Sequence, residues 1–165
     1  MKRDSRSENR ESAERTKPPD AKSTFEDLEV YQVAREFRKA MYRLAKQLPS
    51  VERFALADQI RRAAISLTNN IAEGHGRYHY LDQIRFTLQA RGSLEELLDD
   101  LNVCEDEQYS PAHEIGQLKD LGWRIRQLID GYIRYLRQQT NPDTSRTRED
   151  ASFYGVDADD SRISI

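Results

Sequence analysis

Cysteine, proline, glycine and long apolar runs are all scarce in this sequence, and each scarcity removes a class of structure. The single cysteine, Cys104, excludes an internal disulfide and any zinc site made of cysteine pairs; it reads as a small buried hydrophobe on a helix. Seven glycines and five prolines in 165 residues are too few for the turns of an all-β sandwich. No apolar stretch approaches the roughly 18 residues that cross a bilayer. The opening Met1-Lys2-Arg3-Asp4-Ser5 is charged from its second residue and leads into no apolar segment, so the expectation is no signal peptide and a cytoplasmic location. Phosphate loops of the Walker type and glycine-rich dinucleotide fingerprints are missing. An excess of positive charge is missing too. The 26 basic residues face 29 acidic ones, a formal net charge of −3, which does not suggest a strongly basic nucleic-acid binder.

The apolar residues that are present cluster in the middle. Residues 1–24 contain no Ile, Leu, Val, Phe, Trp or Tyr, too little apolar surface to offset ordering entropy, and are expected to form a disordered tail. Residues 140–165 open on the helix-stop signal Thr140-Asn141-Pro142-Asp143 and hold three bases against six acids. A second, acidic disordered tail is expected there in preference to docking of its short apolar patch Phe153-Tyr154-Gly155-Val156. The domain is therefore residues 25–139.

Within it, apolar residues recur at intervals of three and four, the mark of amphipathic helices. The first stripe is Val30, Val33, Phe37, Met41, Leu44 and Leu48, with Thr24 or Asp27 as cap and Pro49 as stop. The second is Leu56, Ile60, Ala63, Leu67 and Ile71, capped by Ser50 and ended by positive-φ glycines at Gly74 and Gly76. The third runs Leu81, Ile84, Leu88, Ala90, Leu94, Leu97, Leu101 and Cys104 from a start near His79. Ser110-Pro111 opens the fourth, whose stripe is Ile115, Leu118, Leu121, Ile125, Leu128, Tyr132 and Leu136. Four helices of roughly 22–30 residues, about 33–45 Å each, joined by short connections, predict an all-α, antiparallel up-down-up-down four-helix bundle. No segment alternates with period two, so no sheet is expected.

Charge is segregated along this domain. Tyr31–Arg62 carries eight bases, including Arg35, Arg38 and Arg43, against three acids. Gly92–Leu118 carries eight acids, including Glu95, Glu96, Asp99 and Asp100, and no Lys or Arg. The last helix turns basic again with Arg124, Arg126, Arg134 and Arg137. Three readings stay open: solvated faces or pairing inside one bundle, a head-to-tail contact between subunits, and phosphate binding by the basic face. Arginine outnumbers lysine 20 to 6, which suits carboxylate and phosphate equally.

On the second helix, Gln59, Arg62, Ser66, Asn70 and Glu73 fall in one polar stripe beside the apolar one. Ser and Asn are mediocre helix formers, so such a stripe fits either an ordinary exposed face or a hydrogen-bonded network fixing register between helices or subunits. The segment RRAAISLTNNIAEGHGR, residues 61–77, with the opening Phe25–Val30 and Ala90-Arg91-Gly92-Ser93-Leu94-Glu95-Glu96-Leu97, resembles the 23S rRNA intervening-sequence protein family, in order and spacing across residues 25–139. The resemblance implies a four-helix bundle that assembles into a homopentameric barrel. It also implies a setting near nucleic acid: some members are encoded in insertions within large-subunit rRNA genes, and a related basic branch binds a reverse transcriptase and nucleic acid. This chain departs from that branch by being acidic overall.

Catalytic signatures are few. His75 and His79 have the spacing of a helical metal pair but are interrupted by Gly74 and Gly76, and no Glu-x-x-His precedes any histidine. Ser66 and Ser93 have no histidine within a helical turn. No enzyme, metal, cofactor, small-molecule substrate or membrane partner is expected. Arg62, Ser66, Asn70 and Glu73 are the candidate structural network near a subunit contact. Arg35, Arg38, Arg43, Arg124 and Arg134 are the candidate surface for RNA, DNA or a nucleic-acid enzyme, with Arg77-Tyr78-His79-Tyr80 and Tyr132-Ile133-Arg134-Tyr135 as candidate stacking pairs. Glu95, Glu96, Asp99 and Asp100 are the candidate acidic partner face.

Overall fold

Helical periodicity is realised in a computed structural model that describes residues 24–140. Four α-helices follow one another: α1 (Glu29–Gln47), α2 (Leu56–His75), α3 (Tyr80–Asp106) and α4 (Ala112–Thr140), with 3-10 turns at Phe25–Asp27 and Ser50–Phe54. Among the described residues there is no strand and no helix long and apolar enough to cross a membrane. Apart from Thr24 and Thr140, the expected tails lie outside the described residues.

Each helix packs on the next, and α4 returns to α1, closing an up-down-up-down four-helix bundle. The antiparallel sense is visible in paired residues, whose numbers rise on one helix as they fall on the other. Arg91 meets Asp130, Glu95 meets Arg126 and Glu105 meets Lys119 across α3 and α4. The core is one cluster from all four helices; Phe37, Met41, Ile60, Leu67, Leu94, Leu97, Ile125 and Ile129 are fully buried in it. Leu88, Leu118, Leu121, Leu128 and Tyr132 flank it half-buried. Leu81, placed on the core stripe by its spacing, is exposed, because it lies in the first turn of α3, level with the α2–α3 connection rather than with α2 itself.

Several local expectations are corrected. α1 and α2 have 19 and 20 residues, fewer than expected, because the chain before each is spent on a 3-10 turn. Thr24 opens the first of these turns, where its backbone N–H donates to the Asp27 carboxylate at 2.7 Å, and does not cap α1. Ser50 starts the second; α2 begins later, and the Glu52 carboxylate accepts from its Leu56 N–H at 3.3 Å. Gly76 ends α2 with φ −75°, not in the left-handed region. Gly74 is required for closeness instead: a Cβ there would sit 3.0 Å from Phe86 Cβ and 3.2 Å from the Gln83 carbonyl. The one non-glycine left-handed residue among those described is Gln108, φ 56°. It ends α3 and lets the Tyr109 N–H reach the Cys104 carbonyl at 2.9 Å.

Candidate functional site

The polar stripe of α2 is brought together in part. Ser66 and Asn70 lie on the side of α2 that meets α3. There Ser93 Oγ donates to Ser66 Oγ at 2.8 Å, and Asn70 Nδ2 donates to Ser66 Oγ at 3.1 Å and to the Ser66 carbonyl at 2.9 Å. Arg62 and Glu73 are not in this network. A helix advances 100° per residue, so they stand further round toward solvent, where Arg62 pairs with Asp58 on the same helix and Glu73 with Arg77 just beyond its end. Ser93 completes the network from α3; its place between Ala90 and Leu97 at core spacing was the available signal.

The charged faces are partly spent inside the bundle. Lys119 and Arg126 of α4 pair with Glu105 and Glu95 of α3, and Arg91 of α3 pairs with Asp130 at 3.3 Å. Arg124 pairs with Glu29 of α1 at 3.2 Å. Arg38 is half-buried and donates to Thr68 Oγ1 at 2.8 Å, tying α1 to α2. Of the candidate basic residues, Arg35, Arg43, Arg124 and Arg134 are exposed on the outer surface. Of the candidate acidic face, Glu95, Glu96 and Asp99 are exposed, Glu95 in its pair with Arg126.

Asp100 does not belong to that face. It is 7% exposed, turned into the α2–α3 seam, and its Oδ2 is buried with no hydrogen-bond partner. The Ser66–Ser93 register places it level with Gln59, one heptad further along each helix. Burial, then the charges of Asp99 and Glu96, push its pKa up to about 6. The effect reaches one turn further, to Cys104: burial, then Asp100 and Glu52, push the thiol up to about 11. A thiol so held is protonated and a poor nucleophile near neutrality. At this end Tyr109 donates to Glu52 at 2.9 Å, which raises the phenol's pKa.

The aromatic candidates separate. Arg77 turns back over the Phe86 ring, 4.5 Å from its centroid, leaving Tyr78 91% exposed and edge-on to His79. Tyr132 and Tyr135 stack along α4 with centroids 6.3 Å apart; burial raises the Tyr132 pKa. Between α1 and α4 a groove of about 320 Å³ is lined by Ala40, Arg43, Leu44, Gln47, Glu114, Gln117, Leu118 and Leu121. Among the described residues no three His, Cys, Asp or Glu side chains are placed to hold a metal ion.

The fold and its interhelical polar contacts define an all-α, up-down-up-down four-helix-bundle protein. The family model of the 23S rRNA-intervening sequence protein matches residues 26–131, and the chain belongs to that family. No curated protein matches it in sequence.

Proposed function

We propose that this protein is a non-enzymatic, self-assembling binding module, a homopentamer of four-helix bundles that serves as an accessory factor for nucleic acid or for a nucleic-acid enzyme. The observation that carries the reading is the outer face of α1. After the ion pairs within the bundle are made, Arg35, Arg43 and Lys46 still project outward, and Glu36 beside them is engaged by Lys39 at 2.7 Å. Its carboxyl is held below the usual range chiefly by that hydrogen bond. Arginines on a rigid helix suit bidentate contacts to phosphate or carboxylate, and repetition of the face around a ring would multiply weak contacts into useful affinity.

The test is binding of a fluorescent single-stranded RNA to the full chain, followed by anisotropy at rising salt. Phosphate recognition predicts affinity that falls steeply between 50 and 200 mM salt, on the order of tenfold or more for several neutralised phosphates. It also predicts loss of binding in Arg35→Glu/Arg43→Glu. Salt-independent binding, or binding unchanged by the double charge reversal, would remove the proposal. The exposed Glu96 and Asp99 on α3 support a second reading, a protein-only scaffold assembled through complementary charged faces. Glu96→Lys/Asp99→Lys would then break the assembly with no nucleic acid present.

A further inference from the structure

We propose that the acidic segment 149–160 of this chain docks intramolecularly in the groove between α1 and α4. The groove has an apolar floor of Ala40, Leu44, Leu118 and Leu121, with Arg43 on one rim. Its one acid, Glu114, is engaged by the Ser110 hydroxyl at 2.9 Å. Beyond the Arg43 rim the outer surface of α1 continues basic through Lys39 and Lys46. The segment Glu149-Asp150-Ala151-Ser152-Phe153-Tyr154-Gly155-Val156-Asp157-Ala158-Asp159-Asp160 is complementary in kind. Five acids and no base bracket the three large apolar side chains Phe153, Tyr154 and Val156. Apolar residues match the floor and flanking carboxylates match the basic rim, a pairing that fixes orientation as well as place.

The reach is sufficient, with little slack. α4 ends at Thr140, at the end of the bundle away from the groove. From there back to the level of Leu118 is about 33 Å at 1.5 Å per residue. Residues 141–152, fully extended, span at most about 40–43 Å. Phe153 therefore arrives over Leu118 and Leu121 only if the connecting chain runs extended along the α1–α4 seam. Docking covers part of the basic α1 face, so the segment acts as an internal competitor for anionic partners; the contact itself does not depend on any such partner.

The experiment uses the full chain with the photo-cross-linker p-benzoylphenylalanine in place of Phe153, with equal amounts of isotopically light and heavy protein unfolded and refolded together so that subunits mix, then illuminated, with products mapped by mass spectrometry. Docking predicts cross-links to Ala40–Gln47 or Glu114–Leu121 within one chain. Arg43→Glu should lower their yield several-fold. Deleting residues 143–148, which shortens the reach to about 20–22 Å, short of the roughly 28 Å back to Leu121, should abolish them while the helical circular dichroism stays intact. Cross-links elsewhere on the bundle, cross-links joining light to heavy chains, an absence of cross-links, or a yield indifferent to the deletion would each overturn the proposal. None of these outcomes reads nucleic-acid binding, so failure here and failure of the RNA experiment are separate results.

Discussion

Replacing Asp100 by asparagine isolates the least comfortable group in the core. In the folded chain its carboxyl has a pKa of about 6, against 3.8 when unperturbed, so folding favours the protonated form. Below about pH 4 both folded and unfolded chains hold the proton and nothing is lost. As pH rises from 4 to 6 the unfolded chain releases its proton while the folded chain retains it, and stability falls. Above pH 7 both are ionised and the whole difference is in place, roughly 3 kcal/mol at about 1.4 kcal/mol per pKa unit. Asparagine keeps the shape and removes the ionisation, at a cost of about 1 kcal/mol for a buried amide without a full set of partners. The expected result is a variant slightly less stable than the parent at pH 4 and about 2 kcal/mol more stable at pH 8. Urea unfolding followed by far-ultraviolet circular dichroism, at equal protein concentration and at unit pH steps, measures it. The difference between the two proteins should change by about 2.5 kcal/mol across that range; a constant difference would refute the reasoning. Asp99→Asn provides a check on cause, because relieving one of the two repulsive neighbours should bring part of the same pH dependence down.

Other substitutions test the packing. Gly74→Ala puts a methyl group 3.0 Å from Phe86 Cβ and 3.2 Å from a backbone carbonyl, and should destabilise by about 1–3 kcal/mol in the same unfolding assay. Gly92→Ala, with nothing within 4 Å of the new Cβ, should instead stabilise by up to about 1 kcal/mol. Ser93→Ala removes the donor to Ser66 and should cost about 1 kcal/mol by the same denaturant series. Phe37→Ala empties a fully buried site facing Leu98 and Gly122 and should cost about 3–5 kcal/mol, read as a lower urea midpoint.

The helices were legible because apolar spacing is a local property: Phe37, Met41, Leu94 and Ile125 announce their faces without reference to any other segment. Interhelical partners were not, because Ser66 with Ser93 and Arg91 with Asp130 depend on the register between two helices, which neither helix contains alone. Asp99-Asp100 read as a single charged face, although 100° of rotation sends one outward and the other in beside Leu97 and Cys104. Gly74 and Gly76 read as helix enders because glycine serves both positive φ and close approach. The choice between them rests on Phe86, twelve residues away from Gly74. Half of the candidate network lost its place for a similar reason: Arg62 and Glu73 share the stripe with Ser66 but have nearer partners four residues away in the chain.

Self-assembly is the claim on which the proposed function turns, and the light-scattering mass of the purified full chain, with absorbance at 260 and 280 nm across the same peak, tests it most directly. The ring predicts a mass near five times 19.3 kDa. High absorbance at 260 nm in that peak would mark bound nucleic acid, and a clean protein spectrum would favour the protein-only scaffold. A single species at 19.3 kDa would contradict assembly and leave the outward charges of α1 and α3 to serve a monomer.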